Sequence, residues 1–382
     1  MLIAGAILCL VASTAPAPAL SAGRTTFSVS SFGAAGNGIA DDSEIDGDVL
    51  APPGMGYWPK ARRPLQWLNF KWLDGFTIQG TGTVDGQSTL LRSVSPANVS
   101  QHWYVSGVKP TLIRFYSSFN VSVRNIRITN SPQCHLKFDS SGGIKVKNIT
   151  ISSPGDSLNT DGIHLQNTRD VDIRSSSIGC GDDCISIQTG CSNVHMKNIN
   201  CNPGHGISLG GLGKDNSLAC VSDVFAEHIN VENALYGVRI KTWQGGKGTV
   251  RNVTFSNVRV ANVATPIAID QFYCDAGGGG ARCGNRSDAV GITGVAYRRV
   301  AGTYTYQPVR LACSDARPCT GVSMADVRLS PASATGAGGL RQPLCWKSYG
   351  EAMGMIEPTG IACLQRSNGF VMPLTKPFNY TC

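Results

Sequence analysis

Between residues 119 and 260 the chain writes one pattern six times, and that repetition limits the folds open to it more than any other feature. The segment FNVSVRNIRI (119–128) is followed by related units at 143–151, 169–178, 192–199, 222–231 and 251–260, recurring every 23 to 30 residues. Each unit alternates apolar and polar residues and is rich in Val and Ile, the pattern of a short half-buried strand. Between these units lie second apolar-alternating segments at 162–165, 184–187, 206–209 and 237–240. Several short strands per repeat, separated by Gly, Asn and Asp bends, predict an all-β solenoid: a right-handed parallel β-helix. An antiparallel sandwich is the competing architecture, but it has no need of a self-similar period.

Composition narrows the class further. The chain has 382 residues, of which 42% are hydrophobic and only 15% charged, which excludes a disordered protein. No apolar run reaches the roughly 20 residues of a bilayer-spanning helix. Lys and Arg number 33 against 25 Asp and Glu, a net charge of +8. A basic surface favours an anionic partner. The chain has no run of five or more Lys or Arg, which speaks against nucleic acid.

A solenoid stacks equivalent residues of neighbouring coils about 4.8 Å apart. Four segments fall one coil apart: Asn159-Thr160-Asp161-Gly162, Gly181-Asp182-Asp183-Cys184, Gly204-His205-Gly206 and Arg239-Ile240-Lys241. If they flank the second strand of each coil, just after it, stacking gathers three carboxylates, an imidazole and two cations on one surface. Like charges brought together push at least one carboxyl pKa upward. Folds accept such clusters chiefly at functional sites. Paired carboxyls, one of them protonated, are the equipment of glycoside hydrolysis. Arg239 and Lys241, two apart on a strand, share a face and suit a substrate that carries carboxylates. Each residue also has a plain structural reading, as a turn former, a satisfied histidine or a solvated charge; it is their ordered combination that points to a hydrolase of acidic polysaccharides. His164, His195 and His228 stand outside this combination and read as structural or surface residues.

The same residues resemble the plant branch of the polygalacturonases, a family of glycoside hydrolases. NTDG, GDDC, GHGISLGGLG and RIKTWQGG occur in the family order, followed by DQFYCD at 270–275, and the resemblance covers about residues 65–382. It implies a parallel β-helix that hydrolyses α-1,4-linked galacturonan with inversion, without a metal or other cofactor. It further implies Asp182 as general acid, Asp161 and Asp183 as the carboxylates that activate water, and His205 as the residue that tunes the acid. Arg239 and Lys241 would bind a galacturonate carboxylate, Tyr273 would contact substrate, and Asn159 would shape the cleft. Cys184–Cys201 and Cys313–Cys319 match family disulfides; Cys345–Cys363 and Cys274–Cys283 are further candidate pairs. Cys134 and Cys180 read as buried thiols or as partners of each other. The motif RIKTWQGG favours endo-acting members.

The N-terminus reads as an export signal over 1–22, with an apolar stretch at 2–12 and a small-x-small site at 19–21, leaving a single catalytic domain over 23–382. Fourteen cysteines and sequons at Asn98, Asn120, Asn148, Asn252, Asn285 and Asn379 agree with export. With the resemblance, the expectation is a monomer secreted to the cell wall that engages neither nucleic acid nor membrane. The opening at 27–42 resembles the family, but the chain then passes directly to a later segment at 43–52. That jump predicts a truncated N-terminal cap, with stability in doubt because an uncapped solenoid exposes an apolar end. Two other classes compete with the hydrolase: a pectate-binding wall protein without turnover, and a calcium-dependent pectate lyase in which Asp161, Asp182 and Asp183 hold the ion.

Overall fold

The computed structural model describes residues 41–51, 66–88, 109–274, 287–332 and 340–365. The signal at 1–22 and most of the 27–42 opening lie outside these. Each coil contributes to two sheets, one of 15 and one of 10 strands, with parallel pairing between neighbouring coils. This is the expected parallel β-helix. In the smaller sheet Leu136–Asp139, Ile163–Gln166, Ile185–Ile187, Ile207–Leu212, Tyr236–Trp243 and Thr265–Tyr273 stack in chain order. The larger sheet takes the six repeat units and continues through Gly291–Tyr304, Cys319–Pro331 and Ser348–Glu357.

Register aligns the apolar positions into ladders. Ile163, Ile185, Ile207, Val238, Ile267 and Val309 face inward one above another, each buried, and Leu165, Ile187, Leu209, Ile240, Ile269 and Leu311 form the next row. Toward the N-terminal coils this row becomes aromatic, with Phe70, Phe115 and Phe138 stacked at centroid separations of 4.9 and 5.3 Å. Each fully buried side chain of this size contributes about 1.5–3 kcal/mol relative to exposure.

The long strands turn their corners at single residues in the left-handed region. Asn148, Ser175, Asn198, His228, Asn257, Arg299 and Asp326, one per coil, have φ between 50° and 56°. Asn and Asp accept this conformation most readily among residues with a Cβ, which explains the recurring Asn-Ile and Asn-Val pairs of the repeats. A second corner carries Asn120, Asn193 and Asn252, whose amides donate to Asp74, Asp170 and Asp223 one coil earlier. Three sequon asparagines, Asn120, Asn148 and Asn252, occupy such exposed corners; Asn98, Asn285 and Asn379 lie outside the described residues.

The segment that begins at 43 joins the solenoid. Asp41–Glu44 pairs with Phe76–Gln79 and Asp48–Leu50 with Thr83–Asp85, burying Ile45 and Val49. Disulfides join Cys184 to Cys201, Cys313 to Cys319 and Cys345 to Cys363. Cys274 is disulfide-bonded, as is Cys220, which the sequence did not single out; Cys283 lies outside the described residues. Cys134 and Cys180 are separate buried thiols rather than a mutual disulfide, and Cys191 is a third. No helix among the described residues is long and apolar enough to cross a membrane.

Candidate active site

The smaller sheet presents its outward side chains in rows, and two of these rows build the site. Counting back two residues from the aligned Ile163, Ile185, Ile207 and Val238 places Asp161, Asp183, His205 and Tyr236 at one level. Counting forward one residue gives His164, Ser186, Ser208 and Arg239, with Lys241 two positions beyond Arg239. The carboxylates and His205 therefore stand just before the second strand of each coil, not after it, whereas Arg239 and Lys241 lie within a strand. Gly206 makes the tight approach possible: its φ is +78°, and a Cβ there would overlap the carbonyl oxygens of Tyr236 and Gly237.

Asp183 is the buried centre of the cluster. Its Oδ1 accepts from Arg239 Nη2 at 2.7 Å and Ser208 Oγ at 2.6 Å, while Oδ2 accepts from Lys241 Nζ at 2.9 Å. The Arg239 guanidinium also lies 4.0 Å from the centre of the Tyr236 ring, and Lys241 Nζ is 5.4 Å from that of Tyr273. One carboxylate against two cations leaves this buried group with a net charge of +1. Arg239 and Lys241 thus bind Asp183 first, and a substrate carboxylate would meet the remaining charge.

Asp182 points the other way, toward the surface. His205 Nδ1 donates to its Oδ1 at 3.1 Å, the backbone N–H of Asp183 donates to the same oxygen at 2.8 Å, and Asn159 Nδ2 donates to Oδ2 at 3.2 Å. Partial burial opposes ionisation, but the His205 hydrogen bond and charge, with Lys241 nearby, outweigh it and hold the carboxyl down at about 2. Asp161 shows the reverse balance. Burial pushes its pKa up, with the neighbouring Asp182 and Asp183 charges adding to the rise, and a 2.9 Å hydrogen bond from His164 Nδ1 offsets this only in part. In the free chain the two carboxyls are thus driven in opposite directions, Asp161 upward and Asp182 downward.

The residues singled out in the sequence, Asn159, Asp161, Asp182, Asp183, His205, Arg239 and Lys241, come together, with Tyr273 beside Lys241. Sequence reasoning missed three neighbours. His164, read as structural or surface, hydrogen-bonds Asp161; Ser208 bridges Asp183 and Arg239; Tyr236 lies under the guanidinium. Aligning GIHL, CISI, GISL and GVRI column by column puts His164 and Ser208 on the row of Arg239, so the signal was present. His135, fully buried, bonds the Asp161 carbonyl oxygen through Nδ1 at 2.9 Å, and burial lowers its pKa to about 4. His195 and His228 sit exposed on the other sheet.

Ligand atoms of Asp182, Asp183 and His205 lie within 4.8 Å of one another, a spacing a metal ion could bridge. A cation there would compete with Arg239 and Lys241 for both oxygens of Asp183. That donor set is poor for calcium, which wants six to eight free oxygen ligands.

The sequence profile of glycosyl hydrolases family 28 matches residues 43–338. The chain belongs to this family. Among its relatives, a probable polygalacturonase of Arabidopsis thaliana is 33% identical over 339 residues, covering 86% of this chain and 72% of that protein. A polygalacturonase of Chamaecyparis obtusa is 38% identical over 300 residues, covering 75% and 55%. The chain thus spans about half the length of that conifer relative. In solved structures, the polygalacturonase of Erwinia carotovora superposes with a TM-score of 0.64 at 21% identity, covering 82% of this chain and 83% of that one. The endo-xylogalacturonan hydrolase of Aspergillus tubingensis gives 0.64 at 22%, covering 82% and 85%. At these identities the superpositions establish a shared β-helix fold.

Proposed function

We propose that this family 28 chain is a secreted polygalacturonase that hydrolyses α-1,4-galacturonosidic bonds of pectate within the chain, with inversion, in the plant cell wall. The observation that carries this reading is the division of labour among three adjacent carboxyls. Asp183 is neutralised from behind by Arg239 and Lys241, Asp182 faces outward on His205, and Asp161 keeps a raised pKa. The net positive charge left on the Asp183 group attracts a galacturonate carboxylate, and Tyr273, next to Lys241, offers a ring to the sugar. Asn159 holds Asp182 from the cleft side.

In this mechanism Asp182 is the general acid and Asp161, with Asp183, orients and deprotonates the attacking water. Asp182 is ionised in the free chain, so its proton must arrive with substrate. A polyanion covering the site desolvates Asp182 and adds negative charge, and both effects raise its pKa. His205 in its imidazolium form, in hydrogen-bond contact through Nδ1, then gives that proton to Asp182 and is left as the neutral ring, to be reprotonated from solvent. Desolvation acts on Asp161 as well, and its hydrogen bond from His164 favours the ionised form needed of a base. Such carboxyls titrate as a group, and the proton is a property of the cluster. The acid protonates the departing glycosidic oxygen while water attacks the opposite face of the sugar.

Residues 1–22 as a removable signal, one catalytic domain over 23–382, a monomeric state and action without metal, nucleic acid or membrane belong to the same reading. The test is turnover of polygalacturonate with a chelator present, following new reducing ends alongside the ultraviolet absorbance of an unsaturated product. Reducing ends without absorbance support hydrolysis. Chelator-sensitive absorbance would establish the lyase, and binding without turnover the wall-binding protein.

A further inference from the structure

A groove of about 850 Å³ lies on the larger sheet, apart from the strands that carry the carboxyl cluster. It crosses five consecutive strands, Cys191–Cys201, Leu218–Glu232, Lys247–Val263, Gly291–Tyr304 and Cys319–Pro331, so it runs along the solenoid axis. At the usual spacing between strands this is a track of roughly 19 Å. Its shape follows from the left-handed corners: Asn198, His228, Asn257, Arg299 and Asp326 bend each strand at the same level and fold the sheet into a concave trough.

The trough is basic. Arg259, Arg299 and Arg328 line it from three successive coils, all exposed, and none of the three has a carboxylate partner within ion-pair distance among the described residues. Asp326 is the single carboxylate among the described residues that line it. Arg299 is held in place, its Nε donating to Asn257 Oδ1 at 2.6 Å and Nη2 to Ser256 Oγ at 3.2 Å. The depression beside it is different in kind: there Arg174 pairs with Asp172 at 2.6 Å and Lys197 with Glu227 at 2.7 Å, so its charges cancel internally. Three unpaired guanidinium groups gathered along one trough are unbalanced charge that attracts an anion.

We propose that this trough is a second binding site, distinct from the catalytic cluster, for an acidic polysaccharide chain laid along the solenoid axis. The identity of the polymer as galacturonan rests on the function proposed above. Three positive charges spread over the track suit a polymer with one carboxylate per sugar. Asn200 and Asn230, joined by a 2.9 Å hydrogen bond, and Asn257 supply amide groups for sugar hydroxyls. Among the described residues no Phe, Tyr or Trp lines the trough, which gives no stacking platform of the kind single-stranded nucleic acid uses. The site would hold the enzyme on pectate while the cleft works on another stretch of chain, raising the local substrate concentration.

The experiment uses the full chain with Asp182→Asn, so that polymer is not consumed, and a short galacturonate oligomer at saturating concentration to fill the cleft. Soluble polygalacturonate is titrated against this protein and against the same protein carrying Arg259→Gln, Arg299→Gln and Arg328→Gln. The expected result is residual polymer binding that weakens with salt and falls about tenfold in the triple variant, the scale of a few exposed charge contacts. In the catalytically intact background the triple variant should turn over short oligomers unchanged, which also reports that it is folded. Unchanged polymer affinity in the triple variant would overturn the proposal. Tighter binding of single-stranded DNA through the same arginines would also overturn it, reassigning the trough to nucleic acid. Absent oligomer turnover in the parent as well would count against the catalytic reading alone, since the binding titration needs no turnover; turnover lost only in the triple variant would overturn the separation of trough from cleft.

Discussion

Asp183 Oδ1 lies 2.7 Å from Arg239 Nη2, and both side chains are more than nine-tenths buried. With Lys241 on the other oxygen, this is an ion triad at the floor of the candidate cleft. Removing the carboxylate leaves two buried cations without their counter-ion. Asp183→Asn should therefore destabilise the fold by about 3–5 kcal/mol, the usual cost of breaking a buried pair. Thermal or denaturant unfolding checks this, and an unchanged midpoint would mean that the cations are solvated.

Asp161 should behave in the opposite sense. Its folded pKa is raised above the ordinary 3.8, so the native state binds more protons than the unfolded chain between those values, and stability falls as pH rises through that window. Asp161→Asn should unfold at a higher temperature than the parent near neutrality, and the gain should vanish as pH falls below the ordinary carboxylate range. Asp182, held at about 2, contributes stability that is present above the ordinary value and lost as pH drops toward 2. Melting curves of the Asp161→Asn and Asp182→Asn variants across acidic pH should diverge accordingly.

Much of this site could be read before any coordinates. The six units with their apolar alternation specify the solenoid, because a period of one coil cannot be buried any other way. Asp161, Asp182, Asp183, His205, Arg239 and Lys241 then meet by stacking alone. What could not be read is which atoms pair. Nothing in RIK says that its cations turn inward to Asp183, since that depends on Ser208 and Tyr236 closing around the guanidinium. Nor does a lone histidine after NTDGI declare itself until strand register sets it beside the carboxyl three residues earlier. The repeats at 291–304, 319–331 and 348–357 are harder to see, because glycines take places held by valine in the preceding coil, Gly302 beside Val260 and Gly350 beside Val322.

His164 donates to Asp161 and restrains the upward shift of its pKa. Without that bond the carboxyl should hold its proton to higher pH. If Asp161 acts as an ionised base, His164→Asn should move the acidic limb of the kcat/KM profile to higher pH. A profile that only scales down in height would show that His164 shapes the cleft without tuning Asp161.

The Cys184–Cys201 disulfide joins the GDDC strand to the coil that carries His205. It closes a loop of sequence separation 17, for which chain-entropy arguments give about 3 kcal/mol. Cys184→Ala with Cys201→Ala should lower the unfolding midpoint and also reduce turnover, since Gly204 packs directly against Cys184 Sγ. Reduced stability with full activity would show that coil stacking alone positions His205.

The most direct test of the central claim compares polygalacturonate hydrolysis by the parent chain and by Asp182→Asn. Both are assayed as folded protein with chelator present, and the configuration of the newly formed anomeric centre is read by NMR at early times. The account predicts inverted product from the parent and a loss of at least about a hundredfold in the variant, the usual contribution of a positioned proton donor. Comparable turnover by the Asp182→Asn variant, or retained configuration in the product, would contradict it.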